Sequence, residues 1–355
     1  MPEIAINIVR YNQNLEEICE CISAVLAQDH LNFTVTLSEN GSKDSIEAAL
    51  KEHFGANPKF RFVDNRVNLG FAGAHNKFFA ESSAEFVMPL NPDAIMQPGF
   101  LAELVKVFEN PKIAGATGKM LKPEAMENGA RLLDGTGIIV SRSRRARERG
   151  QLQEDIGQFD ADTNIFGVSG TAPLYRRSAL EKVKIVLEGG ASKGSTSSEY
   201  PEYFDHDFFM YWEDLDLSWR LRLAGFSCAY APKALIFHER VGGQSKYGYR
   251  RPLEFARHHR NFSTRILRYN WRNHLFAIIK NDFGRTFWRD CPIILGRELS
   301  MLGYIIIFEP RTLGALPTFF KLLPRMLRKR KIIQANRAVG SKEVDTWFLK
   351  GSLKV

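Results

Sequence analysis

Apolar and polar positions alternate in two rhythms along the first 110 residues. Residues 4–9, Ile4-Ala5-Ile6-Asn7-Ile8-Val9, form a near-continuous apolar run of strand length, as in a strand covered on both faces. In residues 14–28 the rhythm changes: Leu15, Ile18, Ile22, Val25 and Leu26 recur at helical spacing. Asn14 is placed to cap that helix, and Glu16 and Glu17 suit the positive end of its dipole. A second strand is expected at residues 33–37, followed by a turn and a helix capped by Ser42 or Asp44. A third strand at 60–63, a helix running to about Glu81 and a fourth strand ending at Asn91 complete the series. Strand and helix alternating in this way predict a mainly parallel, doubly wound α/β sheet. Such a sheet binds ligands at the carboxyl edge of its strands.

Beyond residues 113–120 the pattern is less regular. The basic run at 142–149 is expected to be a solvated face, and 167–175 enters a second portion of sheet. Arg176-Arg177-Ser178 opens a helix, and another at 217–224 is stopped by Gly225. The low-complexity stretch 189–199 reads equally as a lid or acceptor loop and as a surface insertion. From about Tyr269 the chain becomes helical and basic. Residues 318–333 set Phe319, Phe320, Leu322 and Leu323 among Lys321, Arg325, Arg328 and Lys329. That is either an amphipathic stretch lying on an anionic membrane surface or a helix packed on the domain with a solvated basic side.

Composition alters this picture in one respect. The 355 residues are 44% hydrophobic and 25% charged, as in an ordinary water-soluble domain. The net charge of +9 is concentrated, because residues 311–342 hold nine Lys/Arg and no acid. The rest is balanced, which argues against a nucleic-acid groove in the main body. Four cysteines without metal-ligand spacing fit a reducing compartment, and the apolar start at Ile4 leaves no room for a leader. The apolar stretch at 302–308 is expected to be too short to cross a bilayer.

Three places carry candidate chemistry. Leu90-Asn91-Pro92-Asp93 follows the fourth strand, so Asp93 is either an Asx-type turn residue or an oxygen ligand for a divalent cation that would hold phosphate. In Trp212-Glu213-Asp214-Leu215-Asp216, three acids begin a helix. Asp216 is explained by an i,i+4 pair with Arg220, whereas Glu213 and Asp214 stand beside aromatic residues. Apolar walls raise a carboxylate's pKa and make it a better base. His238, delivered by Leu235-Ile236-Phe237, is either structural or a metal ligand.

Taken in order, Val9-Arg10-Tyr11-Asn12, Glu39-Asn40-Gly41-Ser42-Lys43-Asp44, Asn68-Leu69-Gly70-Phe71, Leu90-Asn91-Pro92-Asp93, Gly170, Trp212-Glu213-Asp214 and His238 resemble family 2 glycosyltransferases of the GT-A fold. Within that family they are most similar to the rhamnosyltransferase-like branch of bacterial surface-polysaccharide (O-antigen) synthesis. The resemblance covers residues 3–280. It implies a Rossmann-like, mainly parallel sheet flanked by helices, with a glycosyltransferase domain at 1–280 and a helical basic region at 281–355. The nucleotide-binding half would be about 1–120 and the acceptor-binding half about 121–280.

By the same resemblance, Val9, Tyr11 and Glu39 border the base and ribose, and Asn68, Gly70 and Asn76 shape the phosphate loop. The family has Asp where this chain has Glu39. Asp93 matches the last acid of the Asp-x-Asp metal motif, whose first acid is here Asn91. Asp93 and His238 would hold Mg²⁺ or Mn²⁺, Asp214 would be the general base of an inverting enzyme, and Glu213 its supporting neighbour. The implied donor is a dTDP- or UDP-linked sugar, with dTDP-rhamnose foremost, and the acceptor a glycan or lipid-linked glycan. The implied location is cytoplasmic, peripheral on the inner face of the membrane. The rival reading is a non-catalytic relative that binds nucleotide sugar or glycan as a scaffold. A nucleotidyltransferase is disfavoured, because Arg10-Tyr11-Asn12-Gln13 stands where a Gly-rich phosphate loop would follow the first strand.

Overall fold

The computed structural model describes residues 1–30, 32–127, 129–187, 200–239 and 251–349. The expected lid or acceptor loop at 189–199 lies outside the described residues. The chain begins β1 (Ile4–Arg10), α1 (Leu15–Leu26), β2 (Phe33–Glu39), α2 (Glu47–Phe54), β3 (Phe60–Asp64), α3 (Gly70–Glu81) and β4 (Phe86–Leu90). These four strands are parallel in the order β4-β1-β2-β3. The chain steps outward from β1 to β3, then returns to the far side of β1. That reversal opens a crevice at the carboxyl edge. Ile8 is in register with Leu90, and Arg10 with Glu39, so Tyr11, Asn40 and Asn91 leave the sheet close together.

Asn14 caps α1 as expected, its Oδ1 accepting from the Glu17 N–H at 2.9 Å. The cap expected for α2 is not made: its N-cap is Ile46, with no side-chain hydrogen bond. Arg10 is the reason. Its guanidinium is fully buried and draws Glu39 (2.6 Å) and a bidentate Asp44 (2.8 and 2.9 Å), while Ser42 donates to Glu39. A desolvated cation needs carboxylates more than a helix end needs a cap.

The middle of the chain adds β5 (Ala94–Met96), α4 (Phe100–Lys106), β6 (Ile113–Ala125), β7 (Arg131–Gly135), β8 (Ile138–Ser141), β9 (Ala146–Glu148), β10 (Asn164–Ile165), β11 (Leu174–Arg176), α5 (Arg177–Val183), α6 (Glu213–Leu223) and β12 (Ser227–His238). The main sheet runs β10-β12-β6-β11-β4-β1-β2-β3, with β11 antiparallel to both its neighbours. The short strand expected before His238 is the end of the twelve-residue β12, which bulges between Ala231 and Leu235. It pairs His238 with Ala94, next to Asp93. One face of the sheet packs Ile4, Ile6 and Ile8 against α1 and α4; the other packs Ala5 and Val87 against α3, α5 and α6.

The C-terminal region contains α7 (Pro252–His259), α8 (Thr264–Asn281), α9 (Gly284–Phe308), α10 (Leu316–Ala335), α11 (Ser341–Trp347) and β13 (Phe348–Leu349), which pairs with β8. Much of the chain's basic charge faces inward. Lys329 of α10 is fully buried among Asp205, Glu202 (2.6 Å) and Asp207 (2.7 Å). Lys280 of α8 bridges Asp205 and Asp216, and Asp216 also takes Arg220 as expected, at 3.0 Å. Other cations of α10, Lys321, Arg328 and Lys331, are exposed beside Phe320 and Leu327.

Two expectations are corrected here. The basic run at 142–149 is not a solvated face. Arg144 is buried against Asp282 (2.8 Å) and Asp290 (2.9 Å), and Arg149 is buried beside Asp162. Asp282, which follows α8, and Asp290 of α9, both far away in sequence, claim Arg144. The apolar stretch at 302–308 is the end of a 25-residue helix, Gly284–Phe308, with a window of mean hydropathy 1.6 that is 17% buried. By length and composition α9 could cross a membrane. Its interspersed Asp290, Arg297 and Glu298 disguise that in the sequence, because each finds an ionic partner in the fold.

Lys329→Met should cost about 3–5 kcal/mol, since it leaves buried carboxylates uncompensated. Urea denaturation of the full chain measures this, and α10 should prove inseparable from the folded core.

Candidate active site

Six of the expected residues, Val9, Tyr11, Asn68, Gly70, Asn91 and Asp93, line one cavity of about 740 Å³ at the crevice between β1 and β4. Asn40 lines it as well, where the resemblance had pointed to Glu39. Glu39 instead faces Arg10 and Ser42, and stiffens the turn. Asn76 lies behind the wall: its amide donates to the Phe204 carbonyl (2.7 Å) and accepts from the Tyr203 and Phe204 N–H groups (3.1 and 2.8 Å). Beneath the cavity, Ser38 donates to Asn7 (2.7 Å), whose amide lies 3.0 Å from His75 Nδ1. Burial pulls His75 down to about 3, so this imidazole is neutral.

Asp93 and His238 come together. His238 Nε2 lies 3.3 Å from Asp93 Oδ1, and its Nδ1 lies 2.8 Å from Asp134 Oδ2. Burial would lower the histidine's pKa, but hydrogen bonds to Asp134 and Asp93 outweigh it and raise the value. With Asp134 holding Nδ1, the other nitrogen is aimed at Asp93. That is how metal-binding imidazoles are oriented from behind. Asp134 was not foreseen, because nothing in its surroundings in the sequence ties it to residue 238. Among the described residues no group of three His, Cys, Asp or Glu forms a cation site. Asp93 and His238 by themselves set two possible donors side by side, a carboxylate oxygen and an imidazole nitrogen.

Two backbone hydrogen bonds link Asp214 to the turn at Asn91. Asp214 Oδ2 accepts from the Gly170 N–H at 2.9 Å, and the carbonyl of the adjacent Thr171 accepts from the Asn91 N–H at 2.8 Å. A few covalent bonds and two hydrogen bonds therefore connect the base candidate to the Asn91–Asp93 turn. A Cβ at Gly170 would lie 3.5 Å from that carboxylate and 3.6 Å from Phe71, which lines the cavity. Glu213 is buried, and burial with the neighbouring Asp214 charge pushes its pKa well up. It therefore holds its proton at pH values where an ordinary glutamate has lost it.

The stretch before these acids is strained. Phe209, Tyr211 and Trp212 take φ of 64°, 67° and 74°, a left-handed conformation costly for side chains of this size. Asn273 of α8, fully buried, donates its amide to the carbonyls of Phe208 (2.9 Å), Met210 (2.9 Å) and Tyr211 (3.0 Å). Asn270, one turn away, accepts from the Trp212 indole, and His274 packs edge-on against it at 4.6 Å. On the other side the strap crosses the start of α3. A Cβ on Gly70 would meet the Phe209 carbonyl at 2.7 Å, and Gly70 itself has φ of +72°. No larger residue fits there. The sequence did carry a sign of this support: Asn270, Asn273 and His274 recur at helical spacing within an otherwise basic helix.

Solved structures share this architecture. The TarS protein of S. aureus superposes with a TM-score of 0.53 at 15% identity, over 97% of this chain and 54% of that one. A mannosyltransferase from Pyrobaculum calidifontis, in complex with GDP-Man and Mn²⁺, gives 0.50 at 16% identity, over 94% and 86%. At these identities the likeness is one of fold, the GT-A fold of glycosyltransferases. A model of glycosyl transferase family 2 matches residues 6–184, half of the chain, and the protein belongs to that family. Among curated relatives it is 25% identical over 307 residues to a poly-beta-1,6-N-acetyl-D-glucosamine synthase of Staphylococcus epidermidis. That match takes in 84% of this chain and 58% of the synthase's length. It is 26% identical over 235 residues, 59% of this chain and 67% of the relative, to an N-acetylglucosaminyl-diphospho-decaprenol L-rhamnosyltransferase of Mycobacterium tuberculosis.

Asn273→Ala would orphan three carbonyls and should cost at least about 2 kcal/mol of stability. Transfer activity should fall more through kcat than through the KM for the donor, as steady-state kinetics would read. Glu213→Gln tests the buried acid. Because the folded-state pKa is raised, the native form loses stability as pH rises above the ordinary glutamate value of about 4.3. The melting temperature of the variant relative to wild type should therefore rise between pH 4 and pH 8.

Proposed function

We propose that the protein is an inverting glycosyltransferase that moves a sugar from a nucleoside diphosphate to a glycan hydroxyl, free or lipid-linked, in surface-polysaccharide synthesis. The observation that carries this reading is the placement of Asp214, held by the Gly170 N–H and connected through Thr171 to the turn bearing Asp93. A single displacement needs a base on the acceptor side and neutralisation of the departing diphosphate on the other. Asp214 serves as the base. Glu213, protonated behind it, adds no second negative charge. Val9, Tyr11, Asn40, Asn68 and Gly70 enclose the nucleotide, with Asn91 toward its ribose or phosphates. Glu39 and Asn76 act from behind, fixing the walls.

Asp93 and His238 are the residues that would hold Mg²⁺ or Mn²⁺, and the bound cation supplies positive charge to the leaving diphosphate. The likeness to a mannosyltransferase solved with GDP-Man and Mn²⁺ is consistent with this. For the donor, dTDP-rhamnose is favoured over a UDP sugar by resemblance to the rhamnosyltransferase branch. In domain terms, residues 1–120 serve the donor, 121–280 the acceptor, and 281–355 form a helical region. We place the protein peripherally on the cytoplasmic face of a membrane. Exposed Ile306 and Ile307 on α9, and exposed Phe320 next to Lys321 on α10, support that location.

Asp214→Asn tests the assignment. Transfer should fall by at least about 10³-fold, within the range expected for losing a general base, while nucleotide-sugar affinity stays within twofold or so. Undiminished transfer would remove Asp214 from the chemistry, and lost nucleotide binding would make it a structural residue.

A further inference from the structure

The cavity between β1 and β4 is lined by four carboxylates, Glu17, Glu20, Asp93 and Glu239. Among the described residues its one cationic side chain is Arg265, because His75, which also lines it, is neutral. A diphosphate entering this space meets an excess of like charge, so the position of that guanidinium matters. Arg265 is the second residue of α8. Across the strap, Tyr211, Trp212 and Asp214 help to line a second cavity, of about 290 Å³. Ile266 lines both cavities, so the two adjoin there, whereas Arg265 lines the first alone.

Rings hold this guanidinium where carboxylates hold most of the others. It lies 4.9 Å from the ring centroid of Phe209 and 5.5 Å from that of Tyr269, and those two rings stack at 5.5 Å. Its hydrogen bonds go to the Tyr269 hydroxyl, at 3.3 and 3.4 Å, which leaves its charge without a carboxylate among the described residues. The next arginines of α8 are committed to backbone. Arg268 donates to the Arg311 carbonyl at 2.9 Å, and Arg272 to the Asp207 carbonyl at 2.6 Å. Phe209 is also one of the strap residues with positive φ, and its ring packs on Gly70, where a Cβ would come within 2.6 Å of it. The strained backbone therefore presents an aromatic platform at the cavity, and the platform carries a cation. An arginine stacked on a ring keeps its N–H fork open to phosphate, and its lost freedom is spent before the ligand arrives.

We propose that Arg265 contacts the diphosphate of the donor, and that Phe209 and Tyr269 hold it ready to do so. The strap leads to Asp214, so the phosphate that Arg265 meets is the one bonded to the sugar. The proposal rests on reading this cavity as the site of a nucleoside diphosphate sugar. It makes α8 part of the donor site, which the N-terminal strands otherwise enclose. The strap then sets two charges at once: the cation for the diphosphate through Phe209, and the Asp214 carboxylate at its end.

Titration of the full chain with UDP, dTDP and GDP, each compared with its monophosphate, tests this with and without Mn²⁺. Arg265 is exposed, so its replacement leaves the fold intact. Arg265→Gln should weaken the diphosphate that wild type binds by at least about tenfold, and its monophosphate by less than about threefold. Arg265→Lys, which keeps the charge and loses the fork, should recover only part of that loss. Phe209→Leu removes the platform and should weaken the diphosphate about two- to fivefold. Arg268→Gln, one turn along the same helix, removes the same net charge and should leave affinity unchanged. Undiminished diphosphate affinity in Arg265→Gln would overturn the proposal. So would equal weakening by Arg265→Gln and Arg268→Gln, or an equal loss for diphosphate and monophosphate. In each of these cases wild type still binds the diphosphate, and the glycosyltransferase reading stands. Folded wild-type protein that binds no nucleoside diphosphate would overturn both.

Discussion

One side-chain amide, that of Asn273, satisfies the carbonyls of Phe208, Met210 and Tyr211 in a stretch where three aromatic residues hold positive φ. Backbone of that kind persists only when its surroundings over-determine it. Here α8 pulls on one side, and the Cβ-free Gly70 admits the Phe209 carbonyl on the other. The consequences spread from this strap. Phe209 and Met210 wall the first cavity, Tyr211 and Trp212 wall the second, and Asp214 follows two residues later at the first turn of α6. A relaxed strap would move both walls and Asp214 together. The strain therefore sits where the two cavities meet.

The C-terminal helices supply this restraint, and charge holds them in place. Lys280 and Lys329 enter a pocket of carboxylates formed by Glu202, Asp205, Asp207 and Asp216. Burial would raise the Asp205 pKa, but the two lysines hold it well below the ordinary carboxylate range. This contribution is present at neutral pH and is lost as pH falls through the acid range. Part of the region's basicity is thus internal neutralisation, and only the cations left outside are free to meet an anionic surface.

The first four strands and the helices between them were legible because their signals are local. Apolar runs of strand length, the Asn14 cap and the turn at Asn91-Pro92-Asp93 each lie within one short window of sequence. The same holds for the acids at 213–216, which sit together at one helix start. What the sequence hid depends on distant partners. Asp134 stands behind His238 across 104 positions, Arg144 finds Asp282 and Asp290, and Asn273 reaches back to residues 208–211. The displaced cap of α2 has the same origin, since a buried arginine on β1 overruled a local preference. Glu39 kept its place at the end of β2 but turned to that arginine, leaving Asn40 facing the cavity. The length of α9 was obscured because Asp290 and Glu298 look solvated until their partners Arg144 and His274 are known.

The central claim is that the crevice between β1 and β4 is built for a nucleoside diphosphate. Calorimetric titration of UDP, dTDP and GDP into the full chain, with and without Mn²⁺, tests it most directly. The account predicts saturable binding of at least one diphosphate, stronger with the cation than without. Folded protein that binds none of the three under either condition would contradict it.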